Sequence, residues 1–152
     1  MLDEKLDRII QIEVNMGIEK IRMTGAEPVV RKNMMDFLRT LKSIEGLKKI
    51  NITTNGTLTA PLIPELKKMG INSVNLSLDT LDKDRFFEIT RRDELEKVMH
   101  TFEELIRYEI PTKINMVVME GKNEADIIEM AKLTKDYPVG VRYIEEMPFN
   151  SA

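Results

Sequence analysis

The chain has 152 residues, 42% of them hydrophobic and 32% charged, enough for one domain with a sizeable core. Its 23 Lys and Arg stand against 26 Asp and Glu for a formal net charge of -3, which gives no bulk electrostatic case for nucleic acid or an anionic membrane. No cysteine is present, so disulfides, thiolate catalysis and a cysteine-held metal or iron–sulfur cluster are excluded within these residues. No apolar run approaches the roughly 20 residues needed to cross a bilayer. The acidic start Leu2-Asp3-Glu4-Lys5 is unlike a signal peptide, and a cytoplasmic location is expected.

In chain order, Leu6, Ile9, Ile10 and Val14 recur at helical spacing, predicting a helix from Asp3 to Asn15 with Gly17 behind it. Ile18 to Thr24 reads as a strand. Pro28 and the Arg31-Lys32 pair lead into a helix with Met34, Phe37, Leu38 and Leu41 on one side, ending near Gly46. Leu47 to Thr54 is the second predicted strand, closed by Asn55-Gly56, a pair suited to positive φ. A hairpin at that pair is disfavoured because Pro61 to Met69 is helical in pattern. Ile71 to Leu78 is the third predicted strand, and Asp79 to Asp82 opens a short helix running through Phe86-Phe87. A longer helix spans Asp93 to Tyr108, Thr112 to Met119 is a strand, Asn123 to Thr134 a helix, and Val139 to Glu145 a fifth strand.

This alternation predicts an α/β fold, a single domain over 1–152 with a parallel sheet crossed by helices. Strands covered by helices on both faces should be continuous hydrophobic runs. These strands alternate instead. Ile21 and Met23, Ile50 and Ile52, Val74, Leu76 and Leu78, and Ile114, Met116 and Val118 share one face. Arg22 and Thr24, Asn51 and Thr53, Asn75 and Ser77, and Lys113 and Asn115 share the other. A polar inner face is costly unless it is hydrogen-bonded or holds a ligand, so the pattern favours a partial parallel barrel with an open polar lumen over a solvent-facing sheet. Ligands of parallel α/β folds gather at the carboxyl ends of the strands. There the chain places Thr24-Gly25, Thr54-Asn55-Gly56, Ser77-Leu78-Asp79, Met119-Glu120-Gly121 and Glu145-Glu146-Met147-Pro148.

Five stretches carry a family resemblance: Arg22-Met23-Thr24-Gly25-Ala26-Glu27-Pro28, Thr53-Thr54-Asn55-Gly56, Asn75-Leu76-Ser77-Leu78-Asp79, Thr112-Lys113-Ile114-Asn115 and Arg142-Tyr143-Ile144-Glu145-Glu146-Met147-Pro148. In order and spacing they resemble the GTP 3',8-cyclases, radical S-adenosylmethionine enzymes that open molybdenum-cofactor biosynthesis. The resemblance implies a (βα)6 partial barrel whose lumen holds S-adenosylmethionine and GTP. By position, Gly25, Ala26, Glu27, Ser77 and Met147 match S-adenosylmethionine contacts, and Arg22, Thr53 and Lys113 match GTP contacts. Arg and Lys suit phosphate, and Thr can hydrogen-bond it or the sugar. Ala26 departs from the family's glycine, a change costing about 1 kcal/mol if the turn needs positive φ. The resemblance also implies 4Fe-4S clusters, whose CxxxCxxC ligands and second cysteine set are not in this sequence. It therefore implies the central part of such an enzyme, inactive by itself, with no catalytic residue and no metal ligand assigned here.

Considered without the resemblance, Glu27 either favours the dipole of the following helix or binds a ligand, and the residues leave both open. His100, beside Met99 on an amphipathic helix, is expected at the surface or its boundary. Glu145 and Glu146 point to opposite faces of a strand, which argues against a shared ion. Unpaired edges of a five-stranded partial barrel predict self-association, with a non-catalytic interaction module as the alternative to a ligand-binding core.

Overall fold

Helix and strand alternate through the computed structural model, which describes residues 2–25 and 27–147. The helices are α1 (Leu2–Asn15), α2 (Met34–Lys42), α3 (Ile63–Lys68), α4 (Lys83–Thr90), α5 (Leu95–Arg107) and α6 (Ile127–Asp136). The strands are β1 (Lys20–Met23), β2 (Lys49–Thr54), β3 (Ser73–Ser77), β4 (Thr112–Val118) and β5 (Val139–Glu145). They form one all-parallel sheet in the order β1-β2-β3-β4-β5, with β1 and β5 at its edges. Sequential strand order with a helix in every crossover is the arrangement that the alternating pattern predicts.

Boundaries differ from the sequence reading where helix ends consume backbone donors. Ile18 and Ile71 were expected to open strands, yet the Ile18 amide donates to the Glu13 carbonyl at 3.0 Å and the Ile71 amide to Leu66 at 3.1 Å. Each closes the helix before it, and pairing begins two residues later. Leu47 is likewise held by Ile44 at 3.2 Å. The helix expected from Asp79 starts instead at Lys83, because the Asp82 carboxylate caps it by accepting from the Arg85 amide at 2.8 Å. Pro28–Val30 and Glu124–Asp126 are separate 3-10 turns ahead of α2 and α6, and Asn33 at φ 63° breaks the first from its helix.

The core lies on one face of the sheet and changes partners along β3. Ile50, Ile52 and Val74 pack with Leu38 and Leu41 of α2 and Leu66 of α3. Leu76, Ile114 and Met116 pack with Val98 and Phe102 of α5 and Met130 of α6. Phe102 also meets Tyr137 edge to face, 5.2 Å between ring centres. The apolar stripe that the sequence places on the crossover helices is thus spent entirely on one side of the strands.

Candidate functional site

The strand register assembles the other face. Arg22 lies beside Asn51, Thr53 beside Asn75, Asn75 beside Lys113, and Ser77 beside Asn115, which lies beside Arg142. Cross-strand partners in a parallel sheet point to the same side, so the expected polar row is continuous across all five strands. Asn75, only 2% exposed, donates to the Thr53 hydroxyl at 3.3 Å, and the Arg142 guanidinium donates to the Asn115 side-chain oxygen at 3.2 Å. Arg22, Ser77 and Lys113 are exposed on this face. The same register adds Lys20 beside Lys49 at the amino ends. Lys20, Arg22, Lys49, Lys113 and Arg142 therefore share a face on which no strand position carries a carboxylate. Such a surface suits an anionic ligand with several charges.

At the carboxyl ends the turns after β1 and β2 are tied together by Glu27. The Thr54 hydroxyl donates to both Glu27 oxygens at 2.8 and 2.9 Å, and the Asn55 amide donates to Oε2 at 2.9 Å. The Val29 amide adds a longer bond to Oε1 at 3.4 Å, capping the 3-10 turn. With the Thr54 proton directed at Glu27, the Thr59 hydroxyl donates to Thr54 at 2.6 Å, as does the Gly56 amide at 3.0 Å. Glu27 thus serves within the protein as a brace between the turns after β1 and β2. Gly56, at φ +82°, follows; a Cβ there would stand 2.6 Å from Leu76 Cδ1 and 3.2 Å from Val98 Cγ1. Its carbonyl accepts from the buried Thr101 hydroxyl at 2.6 Å, locking the turn to α5.

Between this turn and the end of β3 lies a cleft of about 290 Å³, lined by Asn55, Thr57, Ser77, Asp79, Phe86 and Arg92, among others. Its volume is just below the roughly 300–1,000 Å³ common for small-molecule sites, and its polar groups converge from two strand ends. Burial raises the Asp79 carboxyl above its ordinary value of 3.8, opposed by a hydrogen bond from the Val117 amide at 2.7 Å. A polar small molecule suits these groups. A cysteine-held iron–sulfur cluster does not, because the sequence supplies no thiolate, and no group of three or more His, Asp or Glu placed for a metal occurs among the described residues.

The structure brings Arg22, Thr53, Ser77 and Lys113 onto one polar face and Gly25 and Glu27 to its rim. Met147 follows β5 and is 78% exposed. Ala26 lies outside the described residues. Lys20, Lys49 and Arg142 were not singled out as site residues from sequence, although their inward strand positions follow from the same alternation. His100 is exposed, as expected.

The Radical SAM superfamily model matches residues 1–134. The chain belongs to this superfamily. Its fold agrees: SuiB of Streptococcus suis, solved with bound S-adenosylmethionine, superposes with a TM-score of 0.84 at 19% identity, over 98% of this chain and 35% of SuiB. In sequence, the GTP 3',8-cyclase of Alkaliphilus oremlandii is 41% identical over 98% of this chain and 47% of that enzyme. Molybdenum cofactor biosynthesis protein 1 of Homo sapiens is 42% identical over 97% of this chain and 23% of that protein. The chain thus spans about half the length of the bacterial relative. The five-stranded sheet is a partial parallel barrel of the radical SAM type, a family that uses S-adenosylmethionine. No helix among the described residues is long and apolar enough to cross a membrane.

Proposed function

We propose that this chain is the cytoplasmic ligand-binding core of a GTP 3',8-cyclase, a single radical SAM domain over 1–152 that binds S-adenosylmethionine and GTP. The observation that carries this is the row of Arg and Lys on a polar sheet face without an opposing carboxylate, in a chain 41% identical to such a cyclase. Arg22 and Lys113 meet the triphosphate, and Thr53 takes a hydroxyl or phosphate oxygen. Gly25, Ala26, Glu27, Ser77 and Met147 bound the S-adenosylmethionine end, where Glu27 positions the neighbouring turns. S-adenosylmethionine supplies the cleavable sulfonium in this family, and an iron–sulfur cluster supplies the electron. Since these residues include no cysteine, the chain holds and orients ligands but does not cyclise GTP unaided.

Calorimetry with each ligand tests this reading, with GTP affinity falling as salt rises. Absence of binding to both ligands would overturn it, and formation of cyclised product by this chain alone would overturn the inactivity. A second reading, an interaction module, draws on the sheet edges β1 and β5 and on the exposed apolar side chains of Ile9 and Ile12 on α1 and Met16 just after it. It predicts no ligand binding together with a stable dimer in light scattering.

A further inference from the structure

β3 and β4 separate abruptly at the carboxyl end, and side chains continue the ladder that the backbone abandons. Their last paired residues are Ser77 and Asn115, after which the Leu78 amide donates to the Asn115 carbonyl at 3.0 Å. In a parallel ladder the next rung would join the Val117 amide to the Leu78 carbonyl, and the Val117 carbonyl to the following amide of β3. Instead the Asp79 carboxylate accepts from the Val117 amide at 2.7 Å, and the Asn123 side-chain amide donates to the Val117 carbonyl at 2.8 Å. The same Asn123 nitrogen donates to the Asp79 carbonyl at 2.9 Å, and its oxygen accepts from the Met119 amide at 2.8 Å. Asn123 is fully buried with all of these bonds made inside the protein. β4 meanwhile stays paired with β5 as far as Val118 and Glu145, so only β3 turns away.

We propose that Asp79 and Asn123 form a splint across the β3–β4 split and are positioning residues for the Ser77–Asp79 wall of the cleft. The Val117 amide and carbonyl freed by the split both find side-chain partners, so the opening is built into the sequence rather than left as a frayed end. A ladder zipped one rung further would draw Leu78 and Asp79 toward β4 and away from Asn55 and Thr57, which line the opposite wall. The loop carrying Asn123 is itself tied down, since Asp126 pairs with Arg85 of α4, the helix whose Phe86 and Thr90 complete the cleft. Asp126 is buried, and its second oxygen has no hydrogen-bond partner among the described residues, so the Arg85 pair is what holds this carboxylate in place.

The proposal rests on the S-adenosylmethionine reading for its functional consequence but not for the splint itself, and two measurements on the full chain keep these apart. Amide exchange at Val117 in Asp79→Ala should accelerate about tenfold or more relative to core amides such as Ile52, and Asp79→Asn, which keeps an acceptor oxygen, should restore protection. Unchanged Val117 exchange in Asp79→Ala overturns the splint. In calorimetry, S-adenosylmethionine should bind Asp79→Ala about tenfold more weakly than wild type, with Asp79→Asn close to wild type. Equal affinity in Asp79→Ala overturns the positioning role, and so does an Asp79→Asn as weak as Asp79→Ala, which would make the carboxylate charge itself the contact. If wild type binds no S-adenosylmethionine, the functional reading fails while the exchange result still decides the splint. Should Asp79→Ala not fold, Asn123→Asp replaces it: the acceptor for Met119 remains, both donors are lost, and the same exchange and affinity losses are expected.

Discussion

The two faces of one sheet have been put to opposite uses. Toward the helices, Ile50, Ile52, Val74, Leu76, Ile114 and Met116 are fully buried, and their contribution is area removed from water. Toward the lumen, Arg22 and Lys113 stay exposed, while Asn51 and Asn75 are buried polar groups. A single backbone serves both because successive side chains point to opposite sides. On the proposed function, stability and ligand recognition are thereby divided between alternate positions of the same strands, and substitutions one residue apart should fall into different classes.

The largest separation is expected from Leu76→Ala. Leu76 is fully buried beside Val98 and Phe102, so truncation should cost about 3 kcal/mol by transfer and cavity terms. Chemical denaturation checks this; a loss below about 1 kcal/mol would mean that the helix layer repacks freely. Gly56→Ala tests the rim, where the two faces meet. Positive φ costs an alanine about 1 kcal/mol, and the crowding of Leu76 and Val98 adds to it, for a total of about 2 kcal/mol. The same substitution should weaken ligand binding, because the turn it deforms is the one that Glu27 and Thr101 hold.

Lys113→Ala, one position from the buried Ile114, should do the reverse. Its side chain is exposed and makes no ion pair among the described residues, so stability should move by no more than about 0.5 kcal/mol. GTP affinity should fall about tenfold, and the loss should shrink as salt rises. A large change in melting temperature, or an affinity unaffected by the loss of this charge, would break the division between faces.

Much of this division was legible beforehand, because period-two alternation is a property of the strand alone. Ile50-Asn51-Ile52-Thr53 declares both its faces without knowledge of any partner. The polar row and its placement opposite the helices follow from four such strands, and the family motifs add the ligands. What was not legible is every interaction between distant turns. Asp79 meets Val117 across 38 residues, and Glu27 meets Thr54 across 27. Each looks locally like a helix-capping acid, which is why the sequence places a helix start at Asp79 where the helix begins at Lys83. Asn123 reads from sequence only as the start of a helix, which instead begins at Ile127. Its function as a replacement ladder partner exists only once β3 has turned away from β4.

Asp79 also supplies the smallest and most specific effect, in the pH dependence of stability. Desolvation raises its folded-state pKa, and the Val117 amide only partly opposes this. The folded protein therefore holds this proton more tightly than the unfolded chain does. The resulting stabilisation is fully present below the ordinary value of 3.8 and is lost as pH rises through the raised folded-state pKa. Other carboxylates contribute their own slopes to acid unfolding, so the group is isolated by comparison with Asp79→Asn. Relative to that variant, wild type should lose stability steadily from about pH 3.8 upward and level off once Asp79 is ionised in both states. Urea denaturation at a series of pH values measures the difference. A wild-type curve parallel to that of Asp79→Asn would show that hydrogen bonding balances burial in the folded state, and one that gains stability with rising pH would show that hydrogen bonding outweighs burial. Either outcome would give the Val117–Asp79 bond, and with it the splint at the end of β3, more weight than burial leaves it.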